Sequence, residues 1–189
     1  LQDIINIIES VAPLSYQESW DNSGLQVGDR NAEVHAALLT VDVTESVVDE
    51  AIEKHCDLII SHHPLIFRGL KQITGSTTQE RCIEKAIRHN IAIYSSHTSM
   101  DVYLHGVSGK IADKLDIINY HILCPTTDDN VGLGVIGELK TPMKSDDFIH
   151  FVQNIFDCSL RYIKPCDENI TTVAICGGAG AEFLPIPIA

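Results

Sequence analysis

Two histidines stand side by side at His62-His63, directly after the run Asp57-Leu58-Ile59-Ile60-Ser61 and directly before Pro64. The apolar run reads as a buried strand and proline forbids its continuation, so both imidazoles are delivered where the strand leaves the core. Two imidazoles are costly to desolvate together unless a metal ion or acids satisfy them, which points to metal ligation. A second stretch repeats the plan: Ile91 to Ser96 reads as a strand and releases His97-Thr98-Ser99-Met100-Asp101. Imidazole with carboxylate is the ligand set of hydrolytic zinc, manganese or iron centres, so Asp101 joins His62 and His63 as a candidate ligand. A carboxylate can bridge two ions while each histidine serves one of them. His97 has three readings, as a ligand, as a group that orients a ligand, or as a proton relay, and the orienting role is preferred.

The elements that must position these residues form a β-α-β-α-β series. Val34 to Val43 reads as a strand with Asp42 near its end, Thr44 as a helix cap, Ser46 to Lys54 as an amphipathic helix, and Thr78 to Asn90 as a second helix before the strand Ile91 to Ser96. Such a series predicts an α/β fold with parallel or mixed sheets, helices on both faces, and ligands at the carboxyl ends of the strands. Leu1 to Val11 places its isoleucines on one broad helical face and is stopped by Pro13. The polar stretch Cys124 to Asn130 suggests two lobes, a first of residues 1–126 with the metal motifs and a second of residues 127–189. The second lobe is expected to hold a glycine-rich strand at Val131 to Leu139, a helix at Ser145 to Phe156, and strands at Leu160 to Lys164 and Thr171 to Cys176. It runs into Gly177-Gly178-Ala179-Gly180 and is expected to be incomplete at its C-terminus; residues are also expected to be missing before Leu1.

Two loops flank the histidines. Ser19 to Asp29 holds the one tryptophan, Trp20, which reads as a plug for a core edge in preference to a pocket rim. Leu65 to Ser76 carries Arg68 and Lys71, two cations that either face an anionic ligand or are simply solvated. The remaining histidines, His35, His55, His89, His105, His121 and His150, read as single hydrogen-bonded structural residues.

A net charge of −13 over 189 residues, with no basic block, argues against binding to nucleic acid or to an anionic membrane. Six cysteines without a C-x-x-C pair read as free thiols of a reducing compartment, so a cytoplasmic location is expected. No apolar run approaches the length of a membrane span.

Four ordered motifs carry a resemblance: Ser19-Trp20-Asp21-Asn22-Ser23-Gly24-Leu25-Gln26-Val27-Gly28, Ser61-His62-His63-Pro64-Leu65-Ile66-Phe67, His97-Thr98-Ser99-Met100-Asp101, and Cys176-Gly177-Gly178-Ala179-Gly180. Together they resemble the GTP cyclohydrolase I type 2 or Nif-like proteins, also described as NGG-interacting-factor-like. The resemblance implies two α/β lobes and a dinuclear divalent-metal centre with His62, His63 and Asp101 among its ligands. It also implies a ring-shaped homohexamer. The family's further histidine and glutamate ligands near the C-terminus have no counterpart here, and Val135 stands where the family's glycine-rich stretch usually has arginine.

The expected function is that of a protein holding two divalent ions, with zinc, manganese, iron, magnesium and nickel not distinguished. A hydrolase of GTP cyclohydrolase type would act on a nucleotide or related phosphorylated compound, with His97 as a possible proton relay and Arg68 and Lys71 meeting phosphate. The competing expectation is a metal-binding scaffold or regulatory partner without catalysis. A metal-free nucleotide site at Gly177 to Gly180 is a third.

Overall fold

The computed structural model describes residues 1–126, 131–163 and 169–183, and the chain divides into two compact units, Leu1–Met100 and Asp101–Ala189. In the first unit the strands are β1 (Gly24–Val27), β2 (Ala37–Thr40), β3 (Leu58–Ser61) and β4 (Ala92–Ser95), and the helices are α1 (Gln2–Val11), α2 (Glu45–Glu53) and α3 (Thr78–Arg88). The sheet order is β1-β4-β3-β2. Strands β2, β3 and β4 run parallel, and β1 pairs antiparallel with β4, so the sheet is mixed.

Successive side chains on a strand point to opposite faces, and both faces of this sheet are covered. Leu58, Ala92 and Tyr94 pack with Ile5 of α1 on one side. Ile59 and Ile93 pack on the other with Val48 and Ala51 of α2 and with Cys82, Ile83 and Ala86 of α3. Helices α2 and α3 begin alike, each with a threonine cap: Thr44 accepts from the Val47 N–H and Thr77 from the Glu80 N–H. Gly28 closes β1 against β4. Its φ is +116°, and a Cβ there would stand 2.7 Å from that of Ala92, so both conformation and space demand glycine.

After a single helical turn, α4 (Thr98–Asp101), come α5 (Val107–Lys114), β5 (Ile117–Pro125), β6 (Gly132–Lys144), α6 (Ser145–Phe156) and β7 (Asn169–Ile175). The strands form an antiparallel sheet in the order β5-β6-β7. Its core joins Ala112, Leu115, Ile117, Ile122, Val135 and Leu139, with Phe148 and Phe151 of α6 packed against them.

The polar stretch at which the sequence suggested a lobe boundary lies between β5 and β6, two strands that pair with each other, and its residues 127–130 fall outside the described residues. Residues 160–163 form no strand, in contrast to the expectation for Leu160 to Lys164; Tyr162 and Ile163 are 61% and 91% exposed, so the apolar residues that suggested a strand do not pack on a sheet face. Lys164 and residues 184–189 lie outside the described residues. Strand β5 was not anticipated, because a register shift between Ile118 and His121, with Asn119 at φ 54°, breaks its alternation. The glycine cluster 177–180 leads into the short 3-10 helix Gly180–Phe183. Among the described residues no helix is long and apolar enough to cross a membrane.

Ile59 is fully buried at the centre of the first unit's core, whereas Leu39 on edge strand β2 is 75% exposed. Ile59→Ala should therefore lower the unfolding free energy by about 2–5 kcal/mol. Leu39→Ala should change it by less than about 0.5 kcal/mol, both read by chemical denaturation.

Candidate metal centre

The site is built by strand register. Parallel β3 and β4 align Ser61 with Ser95, so the residues that follow each strand emerge side by side, about 4.8 Å apart. Backbone bonds carry the order past the strand ends: the His62 N–H donates to the Thr40 carbonyl, the His63 N–H to the Val41 carbonyl, and the Ser96 N–H to the Ser61 carbonyl. The buried Ser61 hydroxyl bonds that of Ser95 and donates to the His63 carbonyl, which fixes the turn ahead of Pro64.

This arrangement brings His62, His63 and His97 together, with one ligand nitrogen from each lying within 4.8 Å of the others. Their ring centroids are 4.9, 5.3 and 5.5 Å apart. In all three the Nδ1 atom is engaged by an acceptor. His62 Nδ1 is 3.1 Å from the Ser96 carbonyl oxygen, His63 Nδ1 is 2.7 Å from Asp42 Oδ1, and His97 Nδ1 is 2.7 Å from Asp21 Oδ1. A carbonyl or carboxylate only accepts, so each Nδ1 carries the proton, and in the neutral imidazole the lone pair sits on Nε2. Three imidazoles with Nδ1 committed to an acceptor are the arrangement in which histidine ligates a metal through Nε2. The donor set therefore fits a divalent transition metal.

The two carboxylates differ in environment. The Asp21 side chain has no exposure, and that of His97 is 16% exposed. Burial works to raise the Asp21 carboxyl, but the hydrogen bonds it accepts from His97, the Thr98 hydroxyl, the Asn22 N–H and the Ser23 hydroxyl outweigh it and hold its pKa at about 2. It is therefore a fixed anion at any physiological pH. Asp42, 64% exposed, holds His63 from the solvent side.

The sequence motif that contains Asp21 now has a residue-by-residue account. Besides Asp21, Asn22 donates to the Ile66 carbonyl, and the Gln26 side-chain oxygen accepts the Ile66 N–H at 2.7 Å. This loop thus grips the segment that follows the paired histidines. Trp20 is 57% exposed and does not plug the core as expected; it meets Phe67 and His97 edge to face or tilted.

Of the residues singled out in the sequence, His62 and His63 lie together, with ring centroids 4.9 Å apart. His97 offers its ligand nitrogen beside theirs, in the position of a third ligand. Asp101 closes the helical turn that begins at Thr98, in the second unit. Arg68 and Lys71 are exposed and form no ion pair or hydrogen bond among the described residues. Sequence reading missed the orienting roles of Asp21 and Asp42. Only the nearness of Asp42 to the end of its strand was a usable signal.

The model of the family Duf34/NIF3 (NGG1p interacting factor 3) matches residues 1–188. A protein of Clostridium acetobutylicum named "GTP cyclohydrolase 1 type 2 homolog" is 38% identical over 186 residues, covering 97% of this chain and 69% of the relative. The crystal structure of a Staphylococcus aureus hypothetical protein is similar at a TM-score of 0.90 and 29% identity, over 98% of this chain and 74% of that one. A Bacillus cereus protein related to NIF3 is similar at a TM-score of 0.90 and 25% identity, over 98% and 78%.

Replacing a partner that orients a metal-bound histidine weakens affinity by roughly 10–100-fold. Asp21→Asn should fall in that range in a competitive metal titration. Asp42→Asn should lose less, because water can take over the exposed contact to His63.

Proposed function

The chain belongs to the Duf34/NIF3 family, and we propose that it is a metal-dependent hydrolase acting on a small anionic substrate of nucleotide type. The observation that carries this reading is the convergence of His62, His63 and His97 at the strand mouths, each with Nδ1 already committed to an acceptor. Asp101 is taken as a further, carboxylate ligand, and two divalent ions as the full complement. Divalent ions held there would supply Lewis acidity, polarising the scissile group and acidifying water toward neutral pH.

The chain's own residues do the rest. Asp21 keeps His97 in one tautomer and one orientation, so that its Nε2 does not have to be reorganised during turnover. Arg68 and Lys71, without side-chain partners among the described residues, offer positive charge to a phosphate in a chain whose net charge is −13. The name borne by the Clostridium acetobutylicum relative supports a guanine nucleotide as the substrate to try first. In that chemistry water adds to the imidazole ring of the purine, the ring opens, and a second water releases formate.

Elemental analysis and formate release from GTP test the reading on protein purified without chelator. His62→Ala and His63→Ala should each lose metal and lower turnover by at least about 100-fold, in line with the loss of a Lewis-acid centre, while the circular dichroism spectrum is retained. Asp101→Ala should empty one of two positions; an unchanged metal content would remove the dinuclear claim. Metal retained with no turnover of any phosphorylated substrate would favour a scaffold role instead.

A further inference from the structure

Two large aromatic rings stand in solvent beside the histidines. Trp20 is 57% exposed and Phe67 is 42% exposed, although side chains of this size usually bury most of their area. Their centroids lie 5.9 Å apart at an interplanar angle of 55°. Both stand nearly perpendicular to the His97 imidazole, at 6.1 and 6.4 Å from its centroid. Among the described residues, neither ring belongs to a core cluster.

The backbone beneath them is held with unusual care for an exposed loop. Both polar backbone groups of Ile66, next to Phe67, are taken by side chains of the Trp20 loop: the carbonyl by Asn22 and the N–H by Gln26. Gln26 in turn donates to the Asn22 carbonyl at 2.6 Å, and Gln79 donates to the Leu65 carbonyl. Farther along, the buried Glu80 carboxylate accepts from the Thr74 N–H, the Thr74 hydroxyl and the Ser76 N–H. The loop is thus tied at 65–66 and again at 74–76, and the span between presents Phe67, Arg68 and Lys71 outward. Ordering residues costs conformational entropy, and exposing apolar rings gains nothing by itself. Rigid, exposed rings at the rim of a polar centre match the way binding sites lower the cost of ordering on association.

We infer that Trp20 and Phe67 form a preorganised aromatic wall that stacks against a planar heteroaromatic ring of the substrate, with Arg68 taking the substrate's anionic group. The inference rests on the hydrolase reading for the direction in which the ring is presented, and it adds what that reading lacks, the residues that select the substrate. Trp20 and Phe67 are positioning and specificity residues; the histidines keep the chemistry. Stacking tolerates any base because every base has a π-face, so purines and pyrimidines should both bind, and larger rings more tightly.

The test uses full-length protein with its native metal and four probes: GMP, AMP, CMP and ribose 5-phosphate, which shares their sugar and phosphate but has no ring. Trp20, the one tryptophan of the 189-residue sequence, reports stacking by fluorescence quenching, and calorimetry gives affinities for the variants. The three nucleotides should quench Trp20 and ribose 5-phosphate should not. Trp20→Leu and Phe67→Leu should weaken GMP binding roughly 10- to 100-fold, leaving ribose 5-phosphate affinity and metal content unchanged. Trp20→Phe and Phe67→Tyr, which keep a π-face, should stay within about threefold of the parent.

Wild-type GMP affinity in both leucine variants would overturn the inference, as would an equal loss for ribose 5-phosphate or the absence of quenching by any nucleotide. Turnover, measured separately, keeps the two claims apart. Ring-dependent quenching without hydrolysis would uphold the wall and remove the hydrolase reading. Hydrolysis of ring-free phosphate esters without quenching would do the reverse.

Discussion

Three imidazoles can share one small space only if every ring has somewhere to send its Nδ1 proton and something to receive at Nε2. The first unit meets the former condition with three different acceptors: a backbone carbonyl at Ser96, an exposed carboxylate at Asp42 and a fully buried carboxylate at Asp21. The second condition is one that a metal ion could meet. Parallel pairing of β3 with β4 is the underlying constraint, since a slip of one residue would turn His97 away from the paired histidines and leave Asp21 buried without its main partner.

Much of the first unit follows from that pairing. The α2 and α3 crossovers exist to return the chain for parallel strands, and their apolar faces supply the core that holds the strand ends still. The Trp20 loop performs three tasks within a few residues: Asp21 orients His97, Asn22 and Gln26 tie down Ile66, and Trp20 lines the rim. A substitution at Asn22 or Gln26 would therefore act on the site through backbone position, without touching a ligand.

The paired histidines were legible because a proline after an apolar strand leaves little choice about where they emerge. The β-α-β-α-β order and the Thr44 cap were legible for similar local reasons. Asp21 was not: 76 residues separate it from His97, and a carboxylate beside tryptophan in a glycine-rich loop looks like any turn residue. Trp20 was misread because size alone suggested burial, whereas its surroundings are fixed by hydrogen bonds to Ile66 that no local pattern reveals. In the second unit, the bulge near Asn119 hid β5, and the apolar residues after Ser159 suggested a strand although Tyr162 and Ile163 stay largely exposed.

The most direct measurement is anomalous diffraction at the metal absorption edges, on crystals of protein purified without added metal or chelator. The account predicts anomalous peaks bonded at about 2.0–2.2 Å to the Nε2 atoms of His62, His63 and His97, with the Nδ1 contacts to Ser96, Asp42 and Asp21 preserved. Crystals of metal-replete protein with no peak at these three nitrogens, or with metal bound elsewhere and the three rings turned to bond only protein or water, would contradict it.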